Sequence, residues 1–165
     1  MLRRLDPEKD RECFVEAWLW ETSGPRWYKQ SGKVFGPSTL EDFIEASKEE
    51  TRLTFGIFDN ELIGMIELTL CGNSLEADLM AKPRCNPDAI LSHAMALRDR
   101  IFDDLGIAEI YVWLSKKNIP TRRLCAIMGF RETGLTLIRG IYHERVIEWV
   151  HMSIPREAVA MLKAA

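Results

Sequence analysis

The sequence predicts an α/β (α+β) chain, a mixed sheet sandwiched by helices, on three observations. Its elements run β-α-α-β-β-β-α-β-α-β-β-α, with strands and helices alternating through the second half. Apolar residues recur at helical spacing in some segments and alternate in others. With 165 residues, 47% hydrophobic and 28% charged, the chain suits one core and a single domain over residues 1–165.

A short strand is expected around Leu2–Leu5. Asp6-Pro7 then offers an N-cap and a first-turn proline, opening a helix on Phe14, Ala17 and Trp18 that runs to about Trp20. Glu21 to Pro37 has the Gly and Pro content of a loop, yet it carries Trp27, Tyr28 and Phe35. Ser38-Thr39-Leu40-Glu41 has the capping-box pattern, ahead of a helix on Leu40, Phe43 and Ile44. Arg52–Phe58 and Leu62–Leu70 are strands around a tight turn at Asp59-Asn60-Glu61, and Leu75–Met80 is a third.

Lys82 to Pro87 breaks the strand texture, and Asn86-Pro87 is again a cap followed by a first-turn proline. Ile90, Ala94, Leu97, Ile101 and Leu105 trace one face of a long helix closed by Gly106. Ile110–Leu114 is a strand, and Pro120–Met128 a helix closed by Gly129. A weak strand after Phe130, a strand over Val146–Ile154 and a short helix over Pro155–Leu162 complete the order.

A net charge of −3 gives no reason to expect nucleic acid as the main partner. No stretch approaches the roughly 20 apolar residues of a membrane span, and the first residues lack a signal-like apolar run, so a cytoplasmic protein is expected. Cys13, Cys71, Cys85 and Cys125 form no Cys-x-x-Cys pair, and the three histidines have no ligand spacing. Reduced thiols and no bound metal are the expectation.

The specific segment is Asn118-Ile-Pro-Thr121-Arg-Arg-Leu124-Cys125-Ala-Ile-Met128-Gly129-Phe130. With the strand Ile110–Leu114 before it and the hairpin Phe55–Glu67 upstream, it resembles the GNAT superfamily of acyl-CoA N-acyltransferases. The branch resembled is that of the ribosomal-protein alanine acetyltransferases, with Asn-x-x-Ser-x-Arg in place of the commoner Asn-x-x-Ala-x-x-Leu-Tyr. The likeness covers most of Arg52 to Ile154. It implies a mixed, mostly antiparallel sheet flanked by helices, with a splayed strand pair whose strands end near Met80 and Leu114. The pantetheine arm of acetyl-CoA, the co-substrate, would lie in that gap, contacting Asn118 and the backbone at Met80 and Ala81. Asn118 serves equally well as a helix cap.

In such proteins the CoA pyrophosphate sits on Arg/Gln-x-x-Gly-x-Gly/Ala at the start of the long helix. Here the matching run is Arg84-Cys85-Asn86-Pro87-Asp88-Ala89. Arg84, Asn86 and Ala89 are cofactor-binding candidates, but the loop is degenerate. Pro87 deletes a donor, and Asp88 would repel the phosphates by about 1–4 kcal/mol at a few Å. Arg123, with Lys116, Lys117 and Arg122, is a candidate source of compensating charge, or part of a solvated basic face.

Acyl transfer to an amine needs a base for the ammonium proton and an acid for the leaving thiolate. Glu76 and Asp78 share a strand face, and Glu67 is a third candidate base; surface alternation explains all three without catalysis. The resemblance puts the family's acid tyrosine at Cys125 and its serine at Thr121, so Thr121 is the preferred acid. Trp18, Trp20, Trp27, Tyr28 and Phe35 are candidates for an aromatic acceptor pocket.

The leading reading is an N-acetyltransferase acting on a primary amine, either a small molecule or a protein N-terminus. A homodimer is compatible with the sequence. The second reading is a catalytically inactive binding or assembly protein of the same fold, as among phage-encoded relatives. The third, a nucleic-acid module using Lys116–Arg123, lacks stacking aromatics within that cluster.

Overall fold

The computed structural model describes residues 1–23, 39–142 and 145–164. Strands are β1 (Leu2–Arg4), β2 (Arg52–Asp59), β3 (Glu61–Cys71), β4 (Ser74–Ala81), β5 (Glu109–Ser115), β6 (Arg131–Tyr142) and β7 (Arg145–Pro155). Helices among the described residues are α1 (Arg11–Ser23), α2 (Leu40–Ala46), α3 (Pro87–Leu105), α4 (Ile119–Ile127) and α5 (Arg156–Ala164). The strands form one mixed sheet in the order β1-β2-β3-β4-β5-β7-β6. It is mostly antiparallel, and β4–β5 is a parallel pair.

Among the described residues the elements follow the expected order, and the differences lie at their ends. Helix α1 begins at Arg11 rather than at Pro7. Asp6 caps a separate turn, accepting the Glu8 and Lys9 N–H groups, while the Asp10 carboxylate folds back onto the Asp6 N–H. The capping box of α2 sits one residue later than expected. Thr39 accepts the Asp42 N–H, and the Asp42 carboxylate accepts the Thr39 N–H. On α3 the buried face is Ile90, Ala94, Leu97, Ile101 and Phe102, whereas Leu105 is exposed.

The contacts group into two compact units. The first is Met1–Thr69 with Asp78–His93, and the second is Leu70–Ala77 with Ala94–Ala165. In the first, Leu5, Phe14, Ala17, Trp20, Phe43, Ile44, Leu62, Met65 and Met80 form one apolar cluster. Gly64 admits α3 to the sheet here, since a Cβ on it would lie 2.6 Å from the Ile90 Cδ1. In the second unit Ile110, Val112, Met152, Ile154 and Val159 are buried. Arg98, buried on α3, donates to the carbonyl of Met128 at the end of α4.

Strand β4 buries Leu75 and Met80. Its parallel ladder with β5 covers Ser74↔Glu109, Leu75↔Ile110 and Glu76↔Tyr111, although β4 runs on to Ala81 and β5 to Ser115.

Candidate functional site

In the second unit the candidate residues gather at the opening of α4. Asn118 leaves β5 through a turn, its N–H bonded to the Ser115 carbonyl. Its side-chain oxygen accepts the Thr121 N–H at 3.3 Å, so Asn118 is the helix cap, with Pro120 in the first turn. Capping fixes the orientation of the carboxamide. The oxygen is spent on α4, and the NH₂ of this buried side chain donates to nothing among the described residues. Thr121 is half-buried, and its hydroxyl has no partner among the described residues.

One turn further on, Cys125 is buried, and burial pushes its thiol up to about 12. A thiol so reluctant to ionise donates a proton poorly. The helix ends in a Schellman arrangement. Phe130 N–H bonds the Cys125 carbonyl, Gly129 N–H bonds the Ala126 carbonyl, and Gly129 sits at φ +93°. The basic cluster is half neutralised: Lys116 pairs with Glu148 at 2.9 Å and Arg122 with Glu132. Lys117 and Arg123 are exposed and unpaired among the described residues.

Glu76, half-buried at the last rung of the β4–β5 ladder, has a neighbour that sequence reasoning missed. The Tyr111 hydroxyl donates to its Oε2 at 3.4 Å, a long bond. Burial holds the Tyr111 hydroxyl protonated well above its ordinary range, reinforced by Cys71 and Glu76. The Tyr111 ring lies 5.1 Å from that of His151, which also packs against Trp113 at 4.8 Å and meets the Thr133 hydroxyl through Nδ1. The only prior signal was alternation, Tyr111 with Trp113 on one strand and Trp149 with His151 on another.

The first unit holds the remaining candidates. Asp78 is exposed on β4, the Met80 side chain packs in the apolar cluster, and Ala81 is exposed. Arg84, exposed, adopts a left-handed backbone with φ 65°. Asn86 caps α3, its side-chain oxygen accepting the Asp88 N–H at 3.0 Å, and Ala89 is half-buried in the first turn.

Glu67 is buried on β3, opposite Thr54 on β2. Burial raises its carboxyl above the usual range and Asp78 adds to this, while Ser47 and Arg52 oppose it. Ser47 has one hydroxyl proton but lies 2.9 Å from both the Phe43 carbonyl and Glu67 Oε1. Both contacts are full hydrogen bonds only when Glu67 carries a proton and donates it. Burial favours the protonated form of Glu67.

Of the aromatic candidates, Trp20 belongs to the core cluster, and Trp18 packs on Phe43 with ring centroids 5.8 Å apart. Trp27, Tyr28 and Phe35 lie outside the described residues. Among the described residues no group of three His, Cys, Asp or Glu side chains is placed to hold a metal ion. No described helix is long and apolar enough to cross a membrane.

These elements in this order define the GNAT N-acetyltransferase fold. The chain is similar to a mutant of the spermidine N-acetyltransferase SpeG from Vibrio cholerae, with a TM-score of 0.73, 18% identity and 95% of each chain covered. A second mutant form of that enzyme, described as a spermidine/spermine N-acetyltransferase, aligns over 98% of each chain at 17% identity and TM-score 0.73. A GCN5-related N-acetyltransferase from Brucella melitensis aligns at 21% identity and TM-score 0.69, covering 99% of this chain and 78% of its own. By sequence no family model matches the chain, and no curated protein matches it either.

Proposed function

We propose that the chain is an N-acyltransferase moving an acetyl group from acetyl-CoA to a primary amine, on a small molecule or a protein N-terminus, in the cytoplasm. The observation that carries this reading is the Asn118 cap. It commits one end of a buried carboxamide to α4 and leaves the other unpaired, beside a half-buried Thr121 hydroxyl without a partner. That nitrogen is not among the buried polar atoms left without a partner, so it reaches solvent and is open to a ligand acceptor. The fold shared with N-acetyltransferases supports the reading.

In this mechanism the Asn118 NH₂ holds the amide-bearing arm of the donor. Glu76 takes the ammonium proton through water, with Tyr111 holding its carboxylate. The amine nitrogen attacks the carbonyl carbon, the C–S bond breaks, the thiolate takes the Thr121 proton, and the second proton lost by the nitrogen returns to Thr121 through water. The products are an amide and a free thiol. Thr121→Val keeps the volume and removes the hydroxyl. It should lower kcat roughly 10²-fold with little change in donor affinity, measured by thiol release and calorimetry. Full activity in that variant would remove Thr121 from the chemistry.

A further inference from the structure

The opening of α3 is the place where the sequence and the fold disagree, and the backbone accounting there can be completed. From Cys85 to Ala89 there are five positions whose N–H groups would cradle a pyrophosphate. Cys85 N–H is bonded to the Lys82 carbonyl at 3.2 Å. Asp88 N–H is bonded to the Asn86 side chain. Pro87 has no N–H. Only the Asn86 and Ala89 groups remain, and they are separated by the proline and the capped aspartate. Past them, Ile90 N–H turns back to the Asn86 carbonyl at 3.4 Å.

Charge follows the same logic. Lys82 is held by Glu61 at 2.5 Å, with Glu16 at 3.8 Å. Arg84 is the loop's unpaired cation, and the exposed Asp88 carboxylate in the first turn of α3 offsets it. The helix dipole that would attract phosphate is therefore already answered by Asp88 and by the Asn86 cap. This opening is built to satisfy itself.

We infer that the acyl donor is recognised through its pantetheine thioester arm, and that the nucleotide pyrophosphate contributes nothing at the start of α3. The inference rests on the acyl-transfer reading above and narrows its donor class to pantetheine thioesters, with or without a nucleotide. Subsites that bind the nucleotide make a donor lacking it much poorer, because the remote contacts are then lost from the transition state.

The test compares acetyl-CoA with S-acetyl-pantetheine on the full chain, and follows backbone amide resonances during titration with CoA. The expected result is kcat/KM values for the two donors within about threefold of each other. Adenosine 3′,5′-bisphosphate should not inhibit, and CoA should leave the Asn86, Asp88 and Ala89 amides unmoved while shifting Asn118. A preference for acetyl-CoA of about 100-fold or more, competition by the bisphosphate, or CoA-induced shifts at Asn86, Asp88 and Ala89 would overturn the inference. No turnover with either donor and no amide shift anywhere is a different signature. There the acyl-transfer reading itself fails, and the donor inference falls with it.

Discussion

Glu67 and Ser47 show how much chemistry one contact can fix. A single hydroxyl proton between two acceptors at 2.9 Å requires the carboxyl to supply a second, and burial favours that neutral form. Because the folded state holds this proton more tightly than the unfolded chain does, Glu67 supports stability fully below the unfolded value near 4.5. That support is lost as pH rises through the raised folded value. Glu67→Gln keeps a donor for Ser47 and removes the titration. Across about pH 4 to 8 the melting temperature of Glu67→Gln should fall less than that of the parent, the gap widening towards high pH. Equal slopes would mean that the parent carboxyl is already ionised and Ser47 donates to it.

At the scale of elements, the end of α4 separates conformation from packing. Gly129 and Gly134 both take positive φ, at 93° and 84°. A Cβ at Gly129 would lie 2.7 Å from the Leu162 Cδ1 and 2.9 Å from the Ile154 Cδ1, whereas one at Gly134 meets nothing within 4 Å. Gly134 lies in the irregular stretch of β6 between Glu132 and Thr136, the setting of a glycine bulge. Gly129→Ala should therefore cost about 2 kcal/mol or more in denaturant unfolding, and Gly134→Ala about half as much or less. Equal costs would show that the Schellman turn gives way and the contacts to α5 and β7 do not matter.

Elements were foreseeable from sequence because each has local punctuation: Asn118 with Pro120, Asn86 with Pro87, and Gly106 and Gly129 at helix ends. Errors came where two local signals competed. Asp6-Pro7 caps a turn because Asp10 answers it, and Thr39 is the cap of α2 because Asp42 reaches back. The site was foreseeable only where it is local in the chain, at the Asn118–Phe130 segment. The Glu76–Tyr111 contact joins residues 35 apart in sequence, and periodicity carries no information about such a pair. The buried Arg98 was missed for the same reason, since its partner Met128 lies on another helix.

For the whole molecule, one sheet carries the three-rung parallel ladder of β4 and β5, and the fold is that of N-acetyltransferases. In the basic cluster Lys116 and Arg122 pair with Glu148 and Glu132, while Lys117 and Arg123 stay exposed. On the proposed reading the partners are a thioester donor and an amine acceptor, and Asn118, Thr121 and Glu76 are the residues proposed to decide. The most direct measurement is stoichiometric: incubate the chain with acetyl-CoA or S-acetyl-pantetheine and a broad panel of primary amines, and quantify thiol and acetylated amine together. Acyl transfer predicts that the two appear in equal amounts with at least one amine, and only when the protein is present. Donor binding without any acetylated amine across the panel would contradict it, and would make the chain a binding protein on an acyltransferase fold.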